Sequence, residues 1–248
     1  MTRLRAAALA LLLALAAGST PAWAQLDDLL RRFPGFPQAP GTAGPGSLGE
    51  VRIGQALKEA LQVGTANAVQ LIGRPDGYLR NEVIKILLPA RLQSLERGLR
   101  LVGFGPQLDE LVVGMNRAAE QAAPAARQIF WDAIGAMTID DARRILDGAD
   151  TAATDYFKSK TTSRLTATFR PVVEKSMSQV GVTRQYGELL ARARTIPFLD
   201  VEPYDLDGYV VGKGLDGLFH VVGEEERKIR ANPTARVTDL LREVFGRQ

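Results

Sequence analysis

Hydrophobic residues recur every three or four positions along most of the chain from residue 50 onward, with charged residues between them. The first such stripe consists of Ile53, Leu57, Ala60, Leu61, Gly64, Ala68 and Leu71. This spacing places the side chains on one face of an α-helix. Strand-like alternation is nearly absent, so the pattern predicts an all-α fold.

Proline and glycine divide this pattern into separate helices. Pro75 and Gly77 predict a turn after the first helix, and Pro171 is expected to interrupt or kink the segment 161–180. The segment 196–205 is expected to be irregular because Pro197 and Pro203 lie within it. Further helices are predicted over residues 82–88, 90–102, 106–122, 124–136, 183–194, 207–222, 224–230 and 233–245, with others starting at 138 and 150.

The region from residue 50 to residue 248 is long enough to bury one substantial core, roughly 70% of its unfolded surface. We therefore expect a single-domain bundle of helical hairpins. A weak internal similarity leaves open whether one hairpin was duplicated or whether two Val-Gly-capped hairpins merely look alike. The matching residues are Glu96, Val102, Gly103, Gln107, Glu110 and Leu111 in the first copy and Glu174, Val180, Gly181, Gln185, Glu188 and Leu189 in the second.

The first 24 residues have the features of a secretory signal peptide. Arg3 and Arg5 precede an unbroken apolar run over 6–17, and the small-x-small pattern at 22–24 is what a signal peptidase recognises. The run is well short of the ~20 residues that span a bilayer, and the two arginines are not adjacent, so a cleaved Sec-type signal is expected rather than a twin-arginine signal. The mature protein is predicted to begin at Gln25, without a membrane span.

Residues 25–49 are predicted to be a flexible linker. Proline removes backbone donors and glycine adds chain entropy, so such a segment does not offset the cost of ordering. The linker contains Pro34, Pro37, Pro40 and Pro45 and is rich in glycine.

Charge and residue usage exclude several functions. The chain has 31 Lys+Arg and 28 Asp+Glu, and removal of Arg3 and Arg5 with the signal leaves 29 against 28. A balanced charge without one-signed blocks argues against nucleic acid as a partner. The chain has no cysteine, which excludes thiolate metal sites and cysteine nucleophiles. His220 is the only histidine, so no zinc helix is possible, and its apolar neighbours predict a core or boundary residue. No catalytic residue, metal ligand or cofactor is assigned.

The most polar local cluster lies at residues 147–157, where acids and a glycine meet the start of a predicted helix. Thr151 and Asp155 are four apart and share a helix face, with Asp150 just before them. Carboxylate and hydroxyl oxygens at this place suit a cation or a polar ligand, although the spacing departs from that of an EF-hand loop. Helix capping by Asp150 or Thr151 explains the same residues, and both interpretations stay open.

Two other groups of polar residues have structural explanations. In the segment 224–230 the acids come first and the bases last, which suits the helix dipole and predicts a solvated helix with Glu224–Lys228 and Glu226–Arg230 pairs. Asn116 and Glu120 are four apart beside Arg117. They form either a buried polar network or an external face.

Several segments together resemble a known bacterial family. These are the stretches 115–120, 148–157, 180–186 and 224–241. They are similar to the family called domain of unknown function 4197, and the resemblance covers roughly residues 53–245. It implies an exported, periplasmic protein of Gram-negative bacteria and brings no established activity.

Among the functions that remain, the sequence favours a non-catalytic binding module. In this hypothesis Asp150, Thr151, Asp155 and Arg184 line a cleft between hairpins and hold a small polar ligand or a segment of a protein partner. One alternative is a cofactor-free enzyme that uses Asp150 and Asp155 as acid and base. The other is a structural or assembly factor whose apolar helix faces meet another protein.

Overall fold

The structure, a computed structural model, describes residues 45–179, 181–194 and 204–231. The described residues are mainly α-helical, with one long non-helical connection over 73–89, and contain no strand, so the predicted all-α fold is confirmed. Two 3₁₀ turns, Ala90–Leu92 and Ala123–Ala125, precede the second and fourth helices. The α-helices are α1 Pro45–Ile72, α2 Gln93–Leu101, α3 Gly105–Ala122, α4 Ala126–Gly135, α5 Ile139–Leu146, α6 Ala152–Gln179, α7 Val182–Ala193 and α8 Leu206–Ala231.

Three long helices, α1, α6 and α8, supply nearly half of the buried apolar residues in the described ranges. α8 packs against α1, α3 and α6, and α6 also packs against α3 and α4. The rings of Phe130 and Phe157 meet edge to face with centroids 5.0 Å apart, and Phe219 lies 6.3 Å from Phe130. All three side chains are buried, so aromatic packing joins α4, α6 and α8. No helix in the described ranges is both long and apolar enough to cross a bilayer.

Several helix boundaries differ from those predicted. α1 begins at Pro45, before the predicted domain start at residue 50, because proline is favourable in the first turn of a helix. α6 runs through Pro171 without interruption, since Phe169 and Val173 on either side of it are fully buried and hold the helix in place. The predicted helix 233–245 and most of the predicted irregular segment 196–205 lie outside the described residues.

The C-terminal described helix is continuous, whereas the sequence predicted a break between residues 222 and 224. α8 passes through Gly223 without a cap. A Cβ atom at Gly223 would lie 3.5 Å from Oγ1 of Thr154, an ordinary van der Waals distance, so the packing of α8 on α6 has room for a methyl group there. By contrast, Gly103 and Gly181 adopt φ of 92° and 77° and end their helices as left-handed caps. The two weakly similar hairpins therefore share the same capping geometry.

α5 begins with the predicted hydroxyl cap. Thr138 and Asp141 form a capping box, in which each side chain binds the backbone N–H of the other. The hydrogen bonds from the Thr138 backbone and hydroxyl, with a smaller contribution from Arg144, lower the pKa of Asp141 to about 2.

The Asp141→Asn variant is expected to make the effect of this cap depend on pH. Because the folded-state pKa of Asp141 lies below its unfolded value, its contribution to stability is present above about pH 4 and is lost as the pH falls toward 2. The difference in Tm between wild type and variant is therefore expected to be constant from pH 7 to 5 and to shrink below pH 4. Thermal denaturation followed by circular dichroism measures it. A difference that stays constant down to pH 2 contradicts the assignment.

Candidate functional site

The predicted ligand residues Asp150, Thr151 and Asp155 lie together at the start of α6. The Thr151 hydroxyl is 3.2 Å from Oδ2 of Asp155, and both aspartates are exposed to solvent. The carboxylate that binds the first backbone N–H groups of α6 belongs to a different helix. The side chains of Asp150 and Thr151 therefore do not cap α6.

Arg184, the fourth predicted ligand residue, lies elsewhere. It is on α7, is exposed, and pairs with Glu188 of the same helix at 2.9 Å. α7 follows the C-terminal end of α6, whose 28 residues extend for about 42 Å. The structure thus does not bring Arg184 together with Asp150 and Asp155 in one cleft. A ligand-binding role for each of these residues stays a prediction.

The acceptor at the start of α6 is Glu226 of α8. Its carboxylate accepts hydrogen bonds from the backbone N–H groups of Ala153 and Thr154, both at 2.9 Å, and from the Thr154 hydroxyl at 2.8 Å. Arg230 pairs with it at 3.0 Å, as predicted. Glu226 is only 5% exposed, so the prediction of a solvated helix is wrong at this position. Its burial could have been recognised from spacing, because Glu226 follows Val222 by one turn on the buried stripe of α8.

Asn116 of α3 is fully buried, and its side chain binds Ile86 in the connection that precedes α2. Its Oδ1 accepts from the Ile86 backbone N–H at 2.9 Å, and its Nδ2 donates to the Ile86 carbonyl at 2.8 Å. The amide side chain therefore pairs with Ile86 as a neighbouring strand would. The predicted helix over residues 82–88 is wrong, since this pairing and a turn at 82–84 replace helical hydrogen bonds.

Glu120 lies one turn further along α3 and is 3% exposed. Its Oε1 accepts from the backbone N–H groups of Tyr78 and Leu79 at 3.1 and 3.2 Å. Arg117 binds Oε2 of Glu120 and Oδ1 of Asp76, both at 2.6 Å, and these two hydrogen bonds raise the pKa of the guanidinium. Of the two interpretations of Asn116 and Glu120, the buried polar network is correct.

Two tyrosines tie the same stretch to α8. The buried Tyr78 hydroxyl donates to the Gly214 carbonyl at 2.6 Å, and burial raises its pKa, with Glu120 adding to the effect. The Tyr209 hydroxyl of α8 donates to the Leu87 carbonyl at 3.0 Å. Residues 76–88, which we name the bridging segment, are thus bound to α3 by Asn116 and Glu120 and to α8 by the two tyrosines.

A cavity lies on each side of the bridging segment. The cavity toward α3, of about 430 Å³, is lined by Leu87, Glu96, Arg100, Asp109 and Val113 among others. The cavity toward α8, of about 310 Å³, is lined by Lys85, Leu87, Tyr209, Lys213, Asp216 and His220 among others. We call them the α3 cavity and the α8 cavity. Between them Val83 and Leu87 are 68% and 58% exposed, so apolar surface lies between the two cavities.

The charges differ between the two cavities. In the α3 cavity Arg100 binds Asp109 at 2.7 Å and Glu96 at 3.0 Å, and these hydrogen bonds raise its pKa. Its charge is therefore already matched by acids. In the α8 cavity Lys213 pairs with Asp216 at 3.1 Å, and Lys85 lines both cavities.

Comparison with protein-family models gives a match over residues 47–246, to the family described as Protein of unknown function (DUF4197). The chain belongs to this family. The match covers the described helices, and it confirms the resemblance of the sequence motifs. Neither a curated protein nor a solved structure was matched in the corresponding searches.

Two of the motifs that resemble DUF4197 have clear structural roles in this chain. The 115–120 stretch supplies Asn116, Arg117 and Glu120, which hold the bridging segment. The 224–241 stretch supplies Glu226, which binds the start of α6 within the 148–157 stretch. These motifs therefore join distant parts of the DUF4197 chain through buried polar contacts.

His220 is exposed at the rim of the α8 cavity rather than in the core. Its Nε2 lies 3.5 Å from Oε1 of Glu224, one turn along α8. Of the predicted core and boundary positions the boundary is therefore correct, because the apolar neighbours of His220 face other directions around α8, toward α1, α3 and α6. In the described ranges no three His, Cys, Asp or Glu side chains are grouped as metal ligands.

The contact between α8 and the bridging segment depends on Gly217. A Cβ atom at this position would lie 2.6 Å from Cε1 of Tyr78 and 3.1 Å from Cβ of Ile84. Gly217→Ala is therefore expected to lower the free energy of unfolding by about 1–3 kcal/mol through overpacking. Urea denaturation measures the change.

A matched control exists on the same helix. Gly212 has no atom within 4 Å of its Cβ position, so Gly212→Ala is expected to stabilise the protein by about 0.5–1 kcal/mol. Equal effects of the two substitutions would show that helix propensity, and not the contact with Tyr78, decides the outcome.

Proposed function

We propose that this DUF4197 protein is an exported, non-catalytic binding module whose ligand occupies the cavities beside the bridging segment. The observation that carries the proposal is the structure of that segment. It is a non-helical stretch held in place by hydrogen bonds to α3 and α8, and it exposes Val83 and Leu87 between two concave surfaces.

The dimensions and the lining of the cavities support this assignment. Their volumes, about 430 and 310 Å³, fall within or near the range of small-ligand sites. Apolar surface from Leu87 and Val113 lies beside a few polar groups, including Lys85 and Tyr209. Such a combination supplies apolar contact area together with groups that orient a ligand.

The positions of the acidic residues favour binding over catalysis. Glu120 and Glu226, the buried carboxylates, accept hydrogen bonds from backbone N–H groups and are thereby used to hold the fold. Asp150 and Asp155 are exposed at the start of α6 and line neither cavity. The enzyme hypothesis required Asp150 and Asp155 to lie in one cleft, but both are at the exposed start of α6.

Export to the periplasm is part of the proposal and is supported by the pattern of residues 1–24. We expect the protein recovered from a periplasmic fraction to begin at Gln25. Intact mass measurement tests the cleavage site. Protein that keeps residues 1–24 and stays in the cytoplasm would contradict this part.

The binding site is tested with the protein purified under native conditions from that fraction. Native mass spectrometry is expected to show a bound mass, and hydrogen exchange with and without it is expected to show protection at residues 83–88 and 209–220. Protection confined to another face, or no bound mass from any preparation, would overturn the proposal.

A matched pair of variants makes this test specific. Leu87→Asp places a charge between the cavities and is expected to abolish retention of the bound mass. Leu101→Asp is the control, because Leu101 is 88% exposed and lines neither cavity. Alanine at Asp150 and at Arg184 in the same assay tests the ligand residues predicted from sequence.

A further inference from the structure

We propose that the α8 cavity binds the C-terminal residue of an extended peptide, through an unpaired stretch of backbone and the Lys85 ammonium beside it. This inference deepens the proposed function and rests on it. It names the class of ligand and the atoms that recognise it.

The first argument is the direction of the backbone groups around Ile86. Both peptide bonds of Ile86 are trans, and its N–H and carbonyl both bind Asn116 on α3. In a trans peptide unit the N–H and the carbonyl point in opposite directions. The Lys85 carbonyl and the Leu87 N–H therefore point away from α3.

The second argument is that these two groups have no partner. Within the described part of the chain, no protein group hydrogen-bonds to the Lys85 carbonyl or to the Leu87 N–H. At this solvent-facing edge the two groups bind water until a ligand replaces it. The Lys85 carbonyl is an acceptor and the Leu87 N–H is a donor, and they lie on either side of Ile86. Together they can bind the N–H and the carbonyl of a single residue in an added strand.

The third argument places this edge toward α8. The Leu87 carbonyl binds the Tyr209 hydroxyl, and Lys85, Leu87 and Tyr209 all line the α8 cavity. The cavity is small, about 310 Å³, which suits the end of a peptide better than a long run of strand.

The fourth argument is charge. Lys85 is half-buried and has no carboxylate partner among the described residues. Lys213 and His220 line the same cavity, where Asp216 is the one acid among the described lining residues. Lys213 is paired with Asp216, and His220 contacts Glu224, so the Lys85 ammonium is the charge that this cavity leaves for a ligand. An ammonium group beside an open backbone edge suits a terminal carboxylate, since the two form charge-assisted hydrogen bonds.

In the resulting arrangement the last residue of the peptide donates its N–H to the Lys85 carbonyl. One oxygen of its carboxylate accepts from the Leu87 N–H, and the other faces the Lys85 ammonium. The apolar surface of Leu87 and Val83 is left for the side chains of the peptide.

The test uses fluorescein-labelled random hexapeptides with a free C-terminal carboxylate, added to the full-length mature protein stripped of any bound mass. Fluorescence anisotropy is expected to show saturable binding. The same pool with a C-terminal amide is expected to bind at least about tenfold more weakly, because the charged group is lost. An ester in place of the last amide removes the donor to Lys85 and is expected to weaken binding to a similar extent.

Protein variants give independent evidence. Lys85→Met is expected to weaken binding of the free acid several-fold while leaving binding of the amide unchanged. Lys175→Met, an exposed lysine on α6 that lines neither cavity, is the control and is expected to have no effect.

The failure of this inference is distinguishable from the failure of the proposed function. Equal binding of acid, amide and ester, or no binding of any of them, overturns the peptide assignment. If the native bound mass still protects residues 83–88, the proposed binding site stands without it. If neither the peptide nor the native ligand protects that segment, both the peptide assignment and the proposed binding site are wrong.

Discussion

Replacing Glu226 with alanine is expected to lower the free energy of unfolding by about 3–5 kcal/mol, because it breaks a buried, charged hydrogen-bond network at one of its acceptors. The variant leaves the N–H groups of Ala153 and Thr154 without their acceptor and deprives Arg230 of a carboxylate partner. All of these groups lie where α8 meets the start of α6. Urea denaturation followed by circular dichroism measures the loss.

Glu224→Ala is the matched control for this prediction. Glu224 lies on the same helix, is partly exposed, and contacts His220 at 3.5 Å. Its replacement is expected to change stability by less than about 0.5 kcal/mol, as for an exposed ion pair. Equal losses in the two variants would show that Glu226 acts only as a helix residue and not as the acceptor for α6.

Replacing Glu120 with alanine is expected to cost about 2–4 kcal/mol, because two backbone N–H groups of the bridging segment lose their acceptor. Arg117 would keep Asp76 as a partner, so the loss falls on Tyr78 and Leu79. Besides the lower global stability, the variant is expected to exchange amide hydrogens faster than wild type in residues 76–88. The increase is expected to be larger there than in α6. This local effect separates Glu120 from Glu226.

The control is Glu110→Ala on the same helix. Glu110 is exposed and binds Gln185 of α7 at 2.9 Å rather than the bridging segment. It is expected to leave both stability and exchange of the segment nearly unchanged. If the segment exchanges equally in the two variants, Glu120 does not hold it.

These two glutamates show that the buried polar contacts of this protein join parts of the chain that are far apart in sequence. Glu226 binds the start of α6, and Glu120 binds the turn that follows α1. Each occupies a helix position one turn from a buried apolar residue. The contacts of Glu120 hold the bridging segment in place and so set the shape of the cavities.

The hydrophobic spacing was sufficient to predict the helices, because each helix presents a stripe of apolar residues at intervals of three and four. The same pattern failed over residues 82–88. These residues are apolar enough for a helix, but the amide of Asn116, thirty positions later, takes the hydrogen bonds of Ile86. Local propensity does not include such a partner.

The candidate site likewise depends on tertiary contacts that the local sequence does not show. The sequence favoured Asp150, Thr151, Asp155 and Arg184 because their residue types suit ligands, yet the structure leaves them at two ends of α6. The residues around the cavities, such as Lys85 and Tyr209, carry no motif. They come together because the bridging segment packs between α3 and α8.

Composition, local spacing and motifs were enough to identify a cysteine-free, all-α member of the DUF4197 family with a leader-like start. The burial of Asn116, Glu120 and Glu226, and the positions of the concave surfaces, became evident only once the helices were packed together. This is because a carboxylate or amide on one helix binds backbone groups of a distant segment, and the sequence pattern around either partner does not record the other.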